Sequence, residues 1–409
     1  MERLDDALAD LRSRVRRYEP ERYPVQHATA RFHLGAALLQ DGRAAAAAAE
    51  LSAAVAGFRA AGMAVEHAKA TMMLGVALRE TGRGADAARA FSAAAAAFAE
   101  HEQRGEHAAA LHNLGLVARD GGDLDRAIEA FTRAVEGFTG LGEATARTSA
   151  NRELGTTLLA AGRPEEAVGA LRRAVDDSPG RTDAVAWGAA ANALGLALLA
   201  LARHDEAAEA FSDAATAHPR GLRPDGHAMA KANLALAHEG AGRAAHARLA
   251  ARQARDTDGA PPVVAAQAVG LLERIAEVPG ELGEVLDAEA ADRWAPILRD
   301  ELGRWLGIDG AARAEVASGW IACVLARRGR APDLLEAWFG VALEQPPADM
   351  EALLTAVVTA WRRHGAQERE RFRSAVSRAL PRFHLPQWQR LQHALERLSA
   401  ATGEEVEWR

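Results

Sequence analysis

The sequence contains very little cysteine and lysine. Its single cysteine, Cys323, cannot form a disulfide within the chain, and it lies in the apolar run 320–325, so we expect a buried thiol rather than a nucleophile. Only two lysines occur, Lys69 and Lys231, beside many arginines, and we attribute this bias to the base composition of the coding sequence. The formal net charge of −7 argues against general affinity for nucleic acid.

Segments typical of secretion or membrane insertion are also missing. Charged residues begin at Glu2, and no apolar stretch of a signal peptide follows. The uncharged segment 184–202 has nineteen residues, near the length of a membrane span, but it is mostly alanine and includes Asn192. We therefore interpret it as a buried helix and expect a cytoplasmic protein with no membrane contact.

Sequence motifs of catalysis and cofactor binding are absent as well. There is no Gly-x-Ser-x-Gly nucleophile motif, no Walker phosphate loop and no dinucleotide-binding glycine motif. The sequence therefore predicts neither an enzyme nor a cofactor.

What the sequence does contain is a Leu-Gly or Leu-Ala pair that returns every 40 residues. The six copies are Leu34-Gly35, Leu74-Gly75, Leu114-Gly115, Leu154-Gly155, Leu194-Gly195 and Leu234-Ala235. Eight residues after each leucine comes a turn residue, which is Gly42, Gly82, Gly122, Gly162, Ala202 or Gly242. Because glycine adopts the left-handed conformation without steric cost, we expect a first helix, helix A, to end at each of these positions.

A second set of apolar positions follows each turn. Alanine lies five residues after the turn, leucine or phenylalanine four residues later in five of the copies, and another alanine three residues after that. The first copy is Ala47, Leu51 and Ala54, and the last is Ala247, Ala251 and Ala254. Since positions spaced by four and three share one helix face, they predict an amphipathic helix B. The small residues let the two helices approach closely, and each hairpin needs its neighbours to bury its apolar face.

The order Leu-Gly, turn glycine, alanine, phenylalanine, alanine resembles the tetratricopeptide repeat (TPR) family in its 40-residue variant. Residues 105–115, which read Gly-Glu-His-Ala-Ala-Ala-Leu-His-Asn-Leu-Gly, match the family pattern best. The resemblance implies an all-α fold, a right-handed TPR superhelix (α-solenoid) of about six helix-turn-helix repeats over residues 21–256. Residues 1–20 then form an N-terminal capping helix, with Ala7 and Leu11 in the places of Ala47 and Leu51.

The repeat pattern stops after Ala254. A turn-rich break at 256–262 and a helix at 263–278 predict a degenerate repeat or connector over residues 257–285. Residues 286–409 hold seven of the eight tryptophans and predict a helical, Trp-rich C-terminal domain, in which no family is recognised. We expect its helices near 288–306, 310–328, 332–343, 347–363, 366–380 and 385–399. Its tryptophans should lie in a core rather than form a ligand cage.

In the TPR family helix A lines a concave groove, which implies that residues beside each Leu-Gly pair contact a partner. The candidate groove residues are Phe32, His33, Met72, Met73, Arg79, His112, Asn113, Arg119, Arg152, Asn192 and Asn233. An asparagine in this place can pair with both the donor and the acceptor of an extended peptide backbone. The alternative is that these are ordinary solvated or inter-repeat positions.

Histidine also recurs with the 40-residue period, at His27, His67, His107 and His227. Neighbouring helices pack about 8–10 Å apart, whereas zinc needs nitrogens at about 2.0–2.1 Å, so a stacked metal site is not expected. We predict packing or capping roles for these histidines and no metal site in the chain.

Arginine and aromatic residues are interleaved in the segment 361–390. They could form a second partner-binding surface, for which the candidates are Arg362, Arg363, Arg369, Arg373 and Trp388. A solvated helix face beside a tryptophan core is the alternative interpretation, and the one that we favour.

These observations together predict a scaffold that binds another protein or an extended peptide in the groove, with nucleic acid disfavoured as a partner. The C-terminal domain would provide a second contact, a lid or a surface for homo-oligomer formation. One alternative is a peptide- or ligand-responsive regulator that changes the shape of the solenoid to control a partner. A third class, an enzyme with its active site between the two domains, has no motif to support it.

Overall fold

The computed structural model describes residues 2–177, 183–278, 280–401, 403 and 406–408, and these residues form helices and turns with no strand. The chain divides into two compact units, Met1–Leu201 and Ala202–Arg409. The helices of the first unit are α1 (Glu2–Arg17), α2 (Pro24–Gln40), α3 (Ala44–Ala60), α4 (Ala64–Glu80), α5 (Gly84–Glu100), α6 (Arg104–Asp120), α7 (Leu124–Leu141), α8 (Ala144–Ala160), α9 (Pro164–Asp176) and α10 (Ala184–Ala200). Those of the second unit are α11 (His204–Ala217), α12 (Pro224–Gly240), α13 (Ala244–Arg255), α14 (Pro262–Arg274), α15 (Glu281–Ala288), α16 (Trp294–Leu306), α17 (Gly310–Ala326), α18 (Ala331–Glu344), α19 (Pro347–Arg363), α20 (Ala366–Ala379) and α21 (Leu385–Ala401).

Helices A and B alternate through the first unit. Helix α2 packs on α3, α3 packs on α4, and the same succession continues to α10. Each helix A also contacts the next helix A, so α2, α4, α6, α8 and α10 form one layer. This stacking of hairpins confirms the prediction of an all-α solenoid.

The turn glycines end helix A as the spacing predicts. Gly42 has a φ of 71°, and the N–H of Arg43 donates to the carbonyl oxygen of Leu38 over 2.8 Å, which is the bond of a Schellman cap. Ala202 adopts the same left-handed conformation at a φ of 56°, although it carries a Cβ. The equivalent glycines have φ values from 71° to 80°, at Gly82, Gly122, Gly162 and Gly242.

The glycine of each Leu-Gly pair lets helix B approach helix A. A Cβ at Gly115 would lie 2.7 Å from two ring atoms of Phe131, and one at Gly35 would lie 2.5 Å from Leu51 Cγ. Gly75 faces Phe91 and Gly155 faces Leu171 in the same way. The last copy differs on both helices. Alanine replaces the smaller glycine at 235, and alanine replaces the larger leucine or phenylalanine at 251.

A helix is present at the predicted N-terminal position, and of the two predicted packing residues Leu11 packs against the first hairpin whereas Ala7 does not. Ala7 is exposed, whereas Leu8 is 1% exposed and packs with Leu11 and Val15 against the first hairpin. Helix α1 packs on α2, and its orientation is set by the residues that bury the most apolar surface there. Leu8, Leu11 and Val15 lie on one face and bury more than Ala7 would.

The second unit begins with helices of the predicted repeat series and ends in the Trp-rich helices. Helices α11, α12 and α13 pack in succession, and α14 packs on α12 and α13 as the helix A of a further hairpin would. One apolar cluster contains Trp294, Trp305, Trp320, Trp338, Trp361 and Trp408. Trp388 packs against the cluster and Cys323 lies within it, so the predicted tryptophan core and buried thiol are confirmed. The predicted domain boundaries at residues 256 and 285 stay predictions.

The predicted helix at 288–306 is wrong, because the structure divides it. Helix α15 ends at Ala288, a 3₁₀ turn spans Ala291–Arg293, and α16 starts at Trp294. The indole N–H of Trp294 donates to the carbonyl oxygen of Leu286 over 2.9 Å, and this bond holds the chain in a bend. Glu289 and Ala290 are extended there, with ψ near 150°.

Helix α10 covers most of the uncharged segment that resembles a membrane span in length. Within the described part of the chain, no helix combines the length and the apolar character needed to cross a bilayer.

Candidate functional site

Three successive A helices of the first unit place charged side chains side by side. Arg79 at the end of α4 donates from Nε to Asp120 Oδ2 of α6 over 2.8 Å. Arg119 of α6 pairs with Glu153 of α8. Arg152 Nη2 lies 2.6 Å from Glu153 Oε1, so one carboxylate receives two arginines. The result is a continuous row of alternating charges, which we call the helix-A row and define as Arg79, Asp120, Arg119, Glu153 and Arg152.

His112 lies beside the helix-A row and is partly buried. Its ring meets Phe131 edge-on, with the centroids 5.5 Å apart. Burial lowers the pKa of His112, the carboxylate of Glu153 opposes this shift, and Arg152 and Arg119 add to it. The imidazole is therefore neutral near pH 7, and its Nδ1 is buried with no hydrogen-bond partner among the described atoms.

A cavity of about 330 Å³ opens between α4 and α6 next to this row. Its lining consists of Val76, Arg79, Glu80, Phe91, Asn113 and Asp120. Asn113 donates from Nδ2 to the carbonyl oxygen of Ala109 over 3.0 Å, which holds its carboxamide at the cavity wall. The cavity wall therefore combines the apolar side chains of Val76 and Phe91 with side chains of positive and negative charge.

The repeat hairpins and the sequence comparisons agree on the family. Two family models, both described as tetratricopeptide repeat, match residues 106–178 and 152–221. Residues 106–221 therefore consist of tetratricopeptide repeats. TPR proteins are generally non-catalytic scaffolds for protein interactions.

Comparisons with whole proteins add structural similarity at low sequence identity. No curated protein matches the chain. It is similar to BtubC (BKLC) from P. vanneervenii, with 18% identity, coverage of 52% of this chain and 90% of that one, and a TM-score of 0.46. A putative kinesin light chain from Podosopora anserina gives 20% identity, coverage of 49% and 99%, and a TM-score of 0.43. A Rap protein complexed with competence and sporulation factor gives 13% identity, coverage of 98% and 99%, and a TM-score of 0.39.

Only part of the predicted TPR groove set comes together. Arg79, His112, Asn113, Arg119 and Arg152 lie at or beside the helix-A row. The other candidates are placed differently and are described next.

The apolar candidates of the first two repeats are mainly packing residues. Phe32, Met72 and Met73 are partly buried and pack against the apolar clusters between hairpins. His33 is exposed, and its ring lies 5.5 Å from that of Phe32. Asn192 is partly buried on α10, and Asn233 of the second unit is 8% exposed on α12. For Phe32, Met72 and Met73 the inter-repeat interpretation therefore describes the structure better.

Sequence reasoning missed Asp120, the acidic partner of Arg79 in the helix-A row. The signal was present, because neighbouring A helices are 40 residues apart and Asp120 follows Arg79 by 41 residues. An acidic residue one repeat further on thus predicts an ion pair between adjacent A helices.

Three of the four recurring histidines bond to backbone carbonyl oxygens, as a capping role predicts, whereas His67 Nε2 accepts from Arg59 Nε over 3.3 Å. His27 Nδ1 lies 2.6 Å from the carbonyl oxygen of Tyr18, and His227 Nδ1 lies 3.0 Å from that of His218. His107 Nδ1 lies 2.8 Å from the carbonyl oxygen of Ala95. In each case the imidazole bonds to the backbone of the preceding helix B or its end.

The candidate second surface in the C-terminal helices is largely paired with acidic residues. Arg363 Nη1 donates to Glu315 over 2.8 Å, and Arg373 Nη2 lies 2.6 Å from Glu370. Arg369 lies over the Trp361 ring at 5.3 Å, and Arg362 is exposed. Such pairing is what a solvated helix face over a tryptophan core requires.

A buried ionic network in the second unit was also missed. Lys231 of α12 pairs with Asp300 of α16, and His227 Nε2 lies 3.8 Å from the same carboxylate. Burial alone would raise the pKa of Asp300, but Lys231 and His227 hold it below its usual value. Glu301 accepts from both Arg304 and Trp305 one turn away, and it is 1% exposed. The network ties the repeat helix α12 to α16.

Proposed function

We propose that this TPR protein is a binding scaffold whose helix-A row holds an extended peptide segment of a partner protein. The proposal is supported chiefly by one observation. Polar side chains from α4, α6 and α8 form a single row beside a cavity with an apolar wall. A peptide lying across successive A helices would meet a hydrogen-bonding group at each repeat.

The charge balance favours a peptide main chain over a polyanion. Three arginines of the row stand against Asp120, Glu153 and the nearby Glu80, and His112 is neutral. A surface with equal donors and acceptors matches the alternating N–H and C=O groups of an extended peptide. Nucleic acid would instead need an excess of cations.

The cavity supplies a place for one side chain of the bound segment. Its volume of about 330 Å³ is at the lower end of the range of small-molecule pockets. Phe91 and Val76 offer apolar contact, while Asn113 and the Arg79–Asp120 pair surround it. We therefore expect the bound peptide to have a medium-sized apolar side chain in the cavity. The neighbouring main-chain N–H and C=O groups of the peptide would bond to the helix-A row.

The test is selection of binding segments from a random-peptide display library on the full chain, followed by affinity measurement. The double variant Asn113→Ala/Arg152→Ala should weaken the selected peptides by at least about tenfold, the result of losing roughly 1.4 kcal/mol of hydrogen bonding. The matched control is Glu166→Gln, which removes an exposed ion pair with Arg163 on the helix-B layer and should leave affinity unchanged. Peptides that bind both variants equally well, or no selected peptide at all, would contradict the proposal.

A further inference from the structure

Three side chains of the C-terminal helices, Ser318, His364 and Glu368, form a hydrogen-bonded relay that no sequence motif predicts. Ser318 Oγ of α17 lies 3.0 Å from His364 Nε2, at the end of α19. His364 Nδ1 lies 3.2 Å from Glu368 Oε2 of α20. A hydroxyl on one imidazole nitrogen and a carboxylate on the other is the order of a Ser-His-acid triad, which is defined by geometry and not by sequence position.

The hydroxyl of Ser318 differs from other hydroxyls within helices of this unit. Ser377 and Ser399 donate to the carbonyl oxygen four residues earlier in their own helix, at 3.0 and 2.8 Å. This back-bonding is the usual habit of serine inside a helix. Ser318 instead contacts an imidazole that belongs to another helix.

Glu368 fixes the imidazole in the tautomer that the relay needs. Its Oε2 also accepts from the backbone N–H of Gly365 over 3.3 Å, so the carboxylate is held at the start of α20. Bonds from His364 and Gly365 lower the pKa of Glu368, which keeps it ionised. An ionised carboxylate on Nδ1 draws the ring proton there and leaves Nε2 free to accept the proton of Ser318.

The relay is accessible to solvent, and the guanidinium of Arg363 pairs with a residue one turn from Ser318 on α17. The side chain of His364 is 13% exposed and that of Glu368 is 45% exposed. Arg363 Nη1 donates to Glu315, which lies one turn before Ser318 on α17. Residues three apart share a helix face, so the guanidinium is brought near the hydroxyl.

A cleft of about 380 Å³ also lies between α17 and α19. Among its lining residues are Arg313 and Thr359, each five residues from Ser318 or His364 along its helix. Five residues correspond to about 7.5 Å along a helix axis, and Ser318, His364 and Glu368 are not among the residues that line the cleft.

We propose that Ser318, His364 and Glu368 form a second functional site, a nucleophile, a general base and an orienting carboxylate that hydrolyse small carboxylic esters. The site is independent of the peptide-binding proposal, since it shares no residue with the helix-A row.

In the first step Ser318 Oγ attacks the ester carbonyl carbon while His364 Nε2 takes the hydroxyl proton. Arg363 stabilises the negative oxygen that develops, and the C–O bond to the leaving alcohol breaks as His364 returns the proton to it. In the second step water attacks the acyl-serine, His364 takes a proton from the water and gives it to Ser318 Oγ, and the carboxylic acid departs. One ester and one water thus become one acid and one alcohol.

The test uses the purified full chain with p-nitrophenyl acetate as substrate and a fluorophosphonate as covalent probe. We expect acetyl and phosphonyl adducts on Ser318 by peptide mass spectrometry, and hydrolysis above the background rate. His364→Gln and Ser318→Ala should reduce hydrolysis to background, and Glu368→Gln and Arg363→Gln should reduce it at least about tenfold.

Ser377→Ala is the matched control, because it removes a hydroxyl of the same unit that bonds only to its own helix. It should hydrolyse at the wild-type rate, and thermal unfolding should show that each variant is folded. Absence of an adduct on Ser318 in the wild type would overturn the proposal. So would labelling of Ser318 that is equally fast in folded His364→Gln, since the hydrogen bond would then be structural only.

Discussion

The Leu-Gly pair makes a quantitative prediction about how the hairpins pack. Gly115→Ala would place a Cβ 2.7 Å from the ring of Phe131, which is about 0.7 Å closer than the short limit of ordinary contact. Phe131 is 0% exposed, so the ring has no free space to move into. Overpacking of this kind costs about 1–3 kcal/mol, and the gain in helix propensity from glycine to alanine offsets about 1 kcal/mol. We therefore expect the hairpin α6–α7 to lose up to about 2 kcal/mol of stability.

Native-state hydrogen exchange of peptides from α6 and α7 measures this loss locally, which suits a repeat protein that need not unfold in one step. The protection factors should fall by up to about 30-fold. Gly169→Ala is the control, because α9 is helical there and the nearest atom to a new Cβ is 4.0 Å away. It should raise stability by about 0.5–1 kcal/mol.

A double variant separates steric overlap from other effects. In a Phe131→Ala background, Gly115→Ala should no longer destabilise the hairpin, since the ring that it meets is absent. The pair would then copy Ala235 and Ala251 of the last repeat. The reasoning is refuted if Gly115→Ala stabilises the wild type as much as Gly169→Ala does, or if the two substitutions are additive.

Three further predictions concern buried polar groups of the second unit. Burial lowers the pKa of His238 to about 3. Between pH 7 and pH 5 only the unfolded state takes up a proton at this histidine, so the free energy of unfolding should fall by about 2 kcal/mol. Urea titrations at the two pH values should show a smaller fall for His238→Gln. Asp300→Asn leaves the ammonium of Lys231 buried and unpaired and should cost about 3 kcal/mol, whereas the exposed change Glu166→Gln should alter the urea midpoint little. Burial raises the pKa of Cys323, so a thiol reagent at pH 7 should modify the native chain far more slowly than the urea-unfolded chain.

Local rules explain why the hairpins could be predicted. Each turn needs only a residue that tolerates positive φ and a bond such as that from Arg43 to Leu38, and both depend on neighbours in sequence. The same holds for the apolar face of helix B, where spacing alone places Phe131 and its equivalents inside. The bend at residues 289–293 could not be predicted in this way, because it depends on the indole of Trp294 reaching back to the carbonyl oxygen of Leu286.

The candidate sites divide along the same line. The 40-residue period placed Arg79, Asn113 and Arg152 on A helices, but only the packing of those helices pairs Arg79 with Asp120. The packing of the helices also places Met72 and Met73 against apolar clusters. The Ser318–His364–Glu368 relay joins residues from three helix segments with no periodic relation, so no pattern in the sequence could indicate it.

By itself, the sequence determined the fold class, the repeat length, the position of each repeat turn and the residues that face the core. These features follow from backbone preferences and from the spacing of apolar side chains, which act over a few residues. The tertiary structure alone decided which charges pair, which histidines stay neutral and which hydroxyl meets an imidazole. Those outcomes depend on distances of about 3 Å between residues far apart in sequence, and such distances are set only when whole helices pack.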